Sequence, residues 1–230
     1  MARLALVTAA CMAVAYFVCG IPFGLVATRG DGVDVRKAGS GNIGMTNVAR
    51  TVGGKAAAAT CAGDMGKGLV CMLLARAVVA GACFGGDWSM LAPSSPFALS
   101  MTLVFSCCVL GHVFSPYLRF HGGKGISVGF GAGLGLFWPI GLGMLAVFAA
   151  FAVPSRYVSL GSVMAAISLP VQCALWGMGP AALAPVTVVA CVVIWAHRNN
   201  IRKLASHQES RFSVRHRDGA DEGTDGGERR

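Results

Sequence analysis

The sequence predicts an all-α fold, a polytopic integral membrane bundle of about seven transmembrane helices. Hydrophobic residues fill 55% of its 230 positions and only 13% are charged, a composition more apolar than that of soluble domains. The apolar residues are concentrated in stretches near the length that crosses a bilayer. The basic residues occur in alternate connections between those stretches, a pattern that orients a membrane protein.

Seven hydrophobic segments follow one another along the chain, at 4–28, 56–82, 97–114, 126–137, 139–153, 158–176 and 181–196. The first follows a basic residue, as in a secretory signal peptide, but its length of about 25 residues and the spans after it favour a retained helix. The fourth and fifth are divided at Pro139, because proline ends or kinks a helix. A single kinked helix, giving five or six spans in total, is the alternative.

With seven spans, all the basic connections lie on one side of the membrane. Their cations include Arg29, Arg36, Lys37, Arg50, Lys55, Arg119, Lys124, Arg156 and eight Lys or Arg after position 196. The segments 83–96 and 177–180 contain none. The positive-inside rule makes the basic side cytoplasmic, so the N-terminus is predicted outside and the C-terminus inside.

The remaining composition indicates one membrane domain and a polar tail. Nine cysteines are odd in number and lie almost entirely in apolar segments, so neither a disulfide framework nor a metal site is indicated. Residues 1–212 are predicted to form the membrane-embedded domain. Residues 213–230 are rich in glycine and charge and are predicted to be a disordered cytoplasmic tail.

A polar loop, GSGNIGMTNVAR, follows the first span at residues 39–50. Its glycines, Gly41 among them, allow tight turns that present several backbone N–H groups to one point. Hydroxyl, amide and guanidinium donors come from Ser40, Asn42, Thr46, Asn47 and Arg50. The loop is suited to hold an oxyanion. Taken alone, it is equally compatible with a flexible connection.

A second loop, GHVFSPYLRFHGGKGIS, ends in a glycine-flanked lysine, the run Gly122, Gly123, Lys124 and Gly125. Because an apolar helix follows, backbone amides and a helix N-terminus are expected to face an anion there. The loop is not a nucleotide-binding P-loop, since Leu118 stands where the first glycine belongs and glycine follows the lysine. His112, near the end of a span, is either an interfacial histidine or a ligand-binding one.

Asp64 and Lys67 are ionisable residues within the second segment, three apart on one helical face. Charge inside a span is costly and usually marks a site. The pair is about 12 to 17 Å from the cytoplasmic start of the segment, which allows a pocket beneath the first loop. Arg76, nearer the outer end, is predicted to snorkel to the interface.

The last span closes with HRNNIRKL, in which His197 and Asn200 follow the apolar residues directly. A basic flank of this kind can simply stop translocation. However, it lies on the same side as the two glycine-rich loops and the intramembrane pair. Together the four clusters predict a phosphate pocket at the cytoplasmic membrane surface, opening toward the acyl region.

These motifs resemble those of the bacterial acyl-phosphate:glycerol-3-phosphate acyltransferases (PlsY). YFVCGIPFGLVATR, GVDVRKAGSGNIGMTNVARTVGGKAA, DMGKG, GHVFSPYLRFHGGKG, SRYVSLGS and HRNNIRKL occur in the family's order over about residues 16–212. The resemblance implies an inner-membrane enzyme that transfers a fatty acyl group from acyl phosphate to the 1-hydroxyl of glycerol 3-phosphate. The products are lysophosphatidic acid and phosphate, in the first acylation of phospholipid synthesis. Its expected partners are these substrates and membrane lipids, with no cofactor, nucleic acid or obligatory protein partner.

The resemblance implies catalytic roles for Ser40, Arg50, Lys124, His197 and Asn200, and a structural role for Glu209. Substrate contacts are expected from Gly41, Asn42, Asn47, Asp64, Lys67, His112, Gly122, Gly123 and Gly125. We expect direct transfer assisted by the leaving phosphate, with His197 as a hydrogen-bonding binder. Two positions depart from the family pattern. Val128 stands for a threonine, which can remove a hydroxyl contact, and His207 stands for a glycine, which puts the turn before Glu209 in question.

Two other functions are open to a chain of this composition. A transporter for a phosphorylated solute would use similar glycine-broken helices and cations, but near the bilayer midplane and often with inverted repeats, and neither is apparent. A noncatalytic scaffold has no reason to gather all four clusters on one side of the membrane.

Overall fold

The computed structural model describes residues 1–212, and the predicted tail at 213–230 lies outside them. No strand occurs in the described part. The helices are α1 (Ala2–Gly20), α2 (Phe23–Ala27), α3 (Met45–Thr51), α4 (Gly54–Phe84), α5 (Ala98–Val113), α6 (Ile126–Leu136), α7 (Trp138–Ser155), α8 (Val158–Leu175), α9 (Pro180–Ala196) and α10 (Arg198–Ala205). Short 3₁₀ turns cover Trp88–Leu91 and Pro116–Leu118.

Five segments of the described chain are long and apolar enough to cross a bilayer, with α1 and α2 counted together as Ala2–Ala27. A sixth is formed if α9 and α10, which are bent by 57° relative to each other, count as one span. α6 has 11 residues and is about half a bilayer in length. The all-helical membrane architecture is therefore confirmed as five or six candidate spans and one short apolar helix.

The predicted break near Pro139 is confirmed. α6 ends at Leu136, Phe137 is extended with φ −162° and ψ 114°, and α7 begins at Trp138. Pro139 then lies in the first turn of α7, where the missing N–H removes no helical hydrogen bond and the fixed φ suits a helix. One apolar run is thereby divided into two helices.

α6 and α4 cross with their backbones in close contact. A Cβ atom added at Gly131 would lie 1.8 Å from the carbonyl oxygen of Met65, and one added at Gly68 would lie 2.5 Å from that of Val128. Small residues permit such an approach between membrane helices. The crossing places the start of α6 beside the turn of α4 that carries the two intramembrane charges.

Arg76 contacts the other end of α6, a role that the prediction of snorkelling did not include. Its Nη1 donates to the carbonyl oxygens of Gly135, at 3.3 Å, and Leu136, at 3.2 Å. Its Cζ lies 4.9 Å from the ring centroid of Trp88. A cation suits this position because the last carbonyls of a helix have no partners within the helix and carry partial negative charge.

The first loop is held by a small core of its own. This core comprises Val35, Ile43, Val48, Ala49, Val52 and Ala57, with Phe212 packed against it. The main core lies separately, between α1 and α4 to α9. The loop is therefore a folded cap over the membrane helices.

Candidate active site

A cavity of about 230 Å³ lies where the first loop, α4, α6 and the bend between α9 and α10 meet. Its polar wall includes Ser40, Asn42, Thr46, Asn47, Asp64, Arg50, His112, Lys124, His197, Asn200 and Lys203. Its apolar wall includes Met65, Ile126, Phe130, Leu145, Phe148 and Val158. All four clusters found in the sequence therefore contribute to one cavity.

Asn47 folds the first loop from within. It is only 2% exposed, and its Nδ2 donates to the carbonyl oxygens of Val35 and Asn42, both at 2.9 Å. Its Oδ1 accepts from the backbone N–H of Ser40, also at 2.9 Å. Gly39 must be glycine here, because its φ is +59° and a Cβ would lie 2.3 Å from Asn47 Oδ1. Asn47 borders the cavity as well, but its amide is hydrogen-bonded to the protein, a structural role that the prediction of a substrate contact did not include.

Arg50 brings an unpaired donor to the cavity. Its Nη2 donates to the carbonyl oxygen of Ser210 at 2.9 Å, while its Nε is buried and has no partner among the described residues. A buried N–H without an acceptor costs free energy, so this group favours an anion beside it. Ser40 and Asn42 line the same wall, whereas Gly41 closes a turn with φ +71° and does not border the cavity.

The paired glycines of the second loop serve packing, which corrects the prediction that their amides face an anion. The N–H groups of Gly122 and Gly123 donate to the carbonyl oxygens of Val113, at 2.9 Å, and His112, at 3.1 Å. A Cβ at Gly123 would lie 2.1 Å from Nε2 of His112. Gly125, with φ +84°, borders the cavity and turns the chain into α6.

Lys124 begins a partly buried chain of hydrogen bonds. Its Nζ donates to Oδ1 of Asn200, whose Nδ2 donates to Oε1 of Glu209 at 2.8 Å. The hydroxyl of Ser159 donates to the same carboxylate oxygen at 2.9 Å. Burial lowers the pKa of Lys124 to about 8, with Glu209 acting in the opposite sense. Glu209 thus connects the C-terminal segment to α8.

The C-terminal segment crosses the cavity from α10 to Phe212, whose N–H donates to the carbonyl oxygen of Arg156 at 2.8 Å. The turn before Glu209 forms with His207 in the left-handed region, at φ +58°. A residue other than glycine in this region costs about 1 kcal/mol. Val128, the other departure, is fully buried in the core and does not line the cavity, whereas Ser127 does.

His197 has a defined tautomer. It is 2% exposed, and its Nδ1 lies 2.8 Å from the carbonyl oxygen of Val193. A carbonyl oxygen can only accept, so Nδ1 carries the hydrogen and Nε2 of the neutral ring is an acceptor. His197 borders the same cavity as Lys124, and its Nε2 is the ring nitrogen left to accept from a ligand.

The intramembrane charges form a buried group with His112. Nζ of Lys67 lies 2.7 Å from Asp64 Oδ1, 2.7 Å from the carbonyl oxygen of Ile21 and 3.1 Å from Nδ1 of His112. Asp64 and His112 border the cavity and Lys67 does not. The prediction that Lys67 contacts substrate is therefore corrected, because its donors all bind protein atoms.

Sequence reasoning missed Lys203 and the aromatic part of the apolar wall. Lys203 lies two turns beyond the last span, in a run of basic residues. Such a run indicates membrane topology as readily as it indicates a binding site. Phe130 and Phe148, whose ring centroids are 5.4 Å apart, are ordinary core residues by pattern. Among residues 1–212 no cluster of His, Cys, Asp or Glu is suited to hold a metal ion.

The sequence model of the glycerol-3-phosphate acyltransferase family matches residues 9–207. A glycerol-3-phosphate acyltransferase of Geobacter sulfurreducens is 41% identical over 202 residues, covering 88% of this chain and 96% of the relative. One of Rubrobacter xylanophilus is 39% identical over 200 residues, covering 87% and 92% of the two chains.

Two solved structures of PlsY (YgiH), an integral membrane glycerol 3-phosphate acyltransferase, are similar to this fold at 30% sequence identity. The glycerol 3-phosphate form has a TM-score of 0.76 and covers 90% of this chain and 96% of its own. The lysophosphatidic acid form has a TM-score of 0.74 and covers 90% and 95%.

Proposed function

Because the chain belongs to the glycerol-3-phosphate acyltransferase family, we propose that the cavity described above is its active site and that acyl phosphate is its acyl donor. The chain is an integral membrane acyltransferase that acylates glycerol 3-phosphate to lysophosphatidic acid. The observation that carries the proposal is the combination, in one cavity, of an unpaired Arg50 donor with an apolar aromatic wall.

The cationic end of the cavity binds the phosphate groups. Both substrates carry phosphate and repel each other, so cations must offset that repulsion when the two are held together. Arg50 offers its buried Nε, and Lys124 and Lys203 add ammonium groups to the same cavity. Ser40 and Asn42 supply neutral donors beside them.

The apolar end accommodates the acyl chain. Phe130 and Phe148 meet edge to face, and Leu145 and Val158 extend the same wall from α7 and α8. Apolar surface of this kind favours a hydrocarbon tail over a second polar substrate. The reacting carbonyl group then lies at the boundary between the two ends.

The chemistry is a single direct transfer. The 1-hydroxyl oxygen of glycerol 3-phosphate attacks the carbonyl carbon, the carbon–oxygen bond to phosphate breaks, and the hydroxyl proton passes to the leaving phosphate. Nε2 of His197 accepts a hydrogen bond from the 2-hydroxyl, which orients the glycerol backbone and leaves the proton of the 1-hydroxyl for the departing phosphate. The mixed anhydride is already activated, so positioning and oxyanion stabilisation suffice. Asn200 and Glu209 hold Lys124 in place.

Direct transfer predicts that Ser40→Ala lowers turnover about a hundredfold, the cost of losing one donor to the phosphate or the oxyanion. No side-chain base is hydrogen-bonded to the Ser40 hydroxyl within the described residues, so its activation as a nucleophile is not expected. Enzyme mixed with radiolabelled acyl phosphate without acceptor, then denatured, should carry no label. Stoichiometric label on the wild type that disappears in Ser40→Ala would establish an acyl-enzyme instead.

The activity is expected to depend on pH through the protonation of Lys124. Because burial lowers its pKa to about 8, the ammonium form declines as the pH rises through that value. The value of kcat/KM for glycerol 3-phosphate should therefore fall above pH about 8 in the wild type. Lys124→Arg keeps its charge at these pH values and should show a flat profile, at a lower absolute rate. A parallel decline in both enzymes would assign the titration to another group.

The orientation follows from the distribution of basic residues. We infer a bacterial cytoplasmic membrane location, seven crossings with α6 as a short one, the N-terminus outside and the cavity on the cytoplasmic side. In a background without the native cysteines, a cysteine at Ser94 should react with an impermeant thiol reagent added to intact spheroplasts. One at the exposed Lys37 should react only after lysis. The reverse labelling would invert the orientation.

The functional assay uses purified full-length protein in detergent. Lysophosphatidic acid should form from glycerol 3-phosphate only when acyl phosphate is supplied, with stoichiometric release of inorganic phosphate. Acyl-coenzyme A and acyl carrier protein thioesters, given separately, serve as alternative donors. Product formed from a thioester, but not from acyl phosphate, would reject the proposed donor while leaving the acceptor unchanged.

A further inference from the structure

We propose that Nε2–H of His112 donates a hydrogen bond to the carbonyl oxygen of the acyl donor, and that Asp64 and Lys67 are positioning residues that hold the imidazole in that state. The inference rests on the proposed function, because it concerns the same cavity and the same transfer. It gives the buried ionic group of α4 a role in the reaction without any contact between Lys67 and substrate.

The Lys67 ammonium group has three N–H donors, and the protein accepts all of them. They go to Asp64 Oδ1, to the carbonyl oxygen of Ile21 and to Nδ1 of His112, with Nζ at 2.7, 2.7 and 3.1 Å. An ammonium group donates and cannot accept. Nδ1 of His112 is therefore the acceptor, and the hydrogen of the neutral imidazole is on Nε2.

Nε2–H of His112 makes no hydrogen bond with the described residues. The side chain is 4% exposed and the ring borders the cavity. Gly123 lies against the same nitrogen, since a Cβ there would come within 2.1 Å of it. A larger residue at that position would cover the ring or displace it. The absence of a side chain at Gly123 leaves Nε2 uncovered on that side, and because the ring borders the cavity, we place its hydrogen within reach of a ligand oxygen there.

The charges around His112 favour a carbonyl oxygen over a phosphate. The carboxylate of Asp64, 3.6 Å from Nδ1, offsets the ammonium of Lys67, so the group has no net positive charge for a dianion. A carbonyl oxygen is neutral before attack and becomes negative during it. A fixed neutral donor in a buried site therefore stabilises the transition state more than the ground state. Donation from Lys67 to Nδ1 polarises the ring and strengthens its N–H as a donor.

His112 is neither an acid nor a base in this step. When the hydroxyl oxygen attacks, the carbonyl oxygen takes the negative charge and accepts the hydrogen bond from Nε2–H. When the bond to phosphate breaks, the carbonyl double bond forms again and the hydrogen is still on Nε2. His112 and His197 thus face the cavity in opposite senses, one as a donor and the other as an acceptor.

The tautomer can be tested without activity, by ¹⁵N magnetic resonance of full-length enzyme labelled in histidine. We expect Nε2 of His112 to be protonated and Nδ1 bare, with the signals assigned by their loss in His112→Gln. In Lys67→Met the ring should reverse, because Nδ1–H can then donate to Asp64. A wild-type spectrum with Nδ1 protonated would overturn the proposal, even if the Lys67 variant does not fold.

Kinetics test the contact with the carbonyl. His112→Leu should lower kcat about a hundredfold while KM for glycerol 3-phosphate changes less than about twofold. His112→Gln, which keeps an N–H donor, should recover part of the loss. The double variant with Lys67→Met should be no slower than His112→Leu alone, because Lys67 acts through the ring.

Two results would contradict the inference. The first is that the losses in kcat of the two single variants add in the double variant. The second is that His112→Leu has a lower thermal stability, retains kcat and raises KM equally for acyl phosphate and glycerol 3-phosphate. If wild-type enzyme does not use acyl phosphate at all, the proposed donor fails, while the tautomer measurement still decides how the buried group is arranged.

Discussion

Arg50→Met is expected to lower kcat/KM about a thousandfold, the largest loss among the cavity residues. Two guanidinium groups in residues 1–212, those of Arg50 and Arg76, have a buried Nε without a partner, and the substitution removes the one that borders the cavity, together with its charge. It also leaves two bound phosphates with less positive charge between them, so both Michaelis constants should rise. Steady-state kinetics with each substrate varied in turn measure the effect.

Two control variants accompany Arg50→Met. Arg50→Lys keeps the charge but loses the planar donor pair, and should fall between the wild type and Arg50→Met. Lys37→Met removes a cation from the same loop at an exposed position outside the cavity, and should change kcat/KM less than about twofold. Equal losses in the Arg50 and Lys37 variants would show that only the overall charge of the loop matters.

Gly131→Ala is expected to abolish activity and to destabilise the fold by about 3 kcal/mol or more, because the added methyl group overlaps backbone that cannot move aside. The Cβ would lie 1.8 Å from the carbonyl oxygen of Met65, so α4 and α6 would have to separate. The apparent Tm of the purified protein should fall by about 10 °C.

Gly129→Ala is the matched control in the same helix. Its Cβ would meet nothing closer than Val109 Cγ2 at 3.9 Å, so the methyl group fits. Alanine is also the better helix former by about 1 kcal/mol. The Tm and activity of this variant should be equal to or slightly above those of the wild type. Similar losses in both variants would mean that the flexibility of α6, and not its contact with α4, is required.

The helices and the gathering of motifs could be predicted from the sequence because they depend on local patterns. Pro139 divides an apolar run whatever its neighbours are, and the structure has the break at that point. The distribution of basic residues predicted that the two glycine-rich loops and the HRNNIRKL motif lie together, and residues of all three line one cavity. Asp64 and His112 then border the cavity as expected.

The direction of individual polar groups could not be predicted, because it depends on partners that are distant in the sequence. Asn47 and Lys67 both carry donors in polar motifs, yet each uses them on protein atoms. Gly123 was expected to expose its amide and instead makes room for an imidazole. Periodicity and composition place such residues near the site, but only tertiary contacts decide whether a donor faces inward or toward a ligand.

The contact between α4 and α6 also gives the cavity one fixed wall. Gly68 and Gly131 lock these helices backbone to backbone, so they act as a rigid floor. The ceiling is different: the segment from Gln208 to Phe212 is held over the cavity by Glu209 and by two carbonyl contacts with Arg50. Substrate that binds Nε of Arg50 shares one guanidinium with those carbonyls, which accept from Nη2. Substrate binding and product release should therefore require movement of the segment over the cavity, and the free energy of that movement is set by a few hydrogen bonds. The helices α4 and α6 should keep their geometry through every turnover.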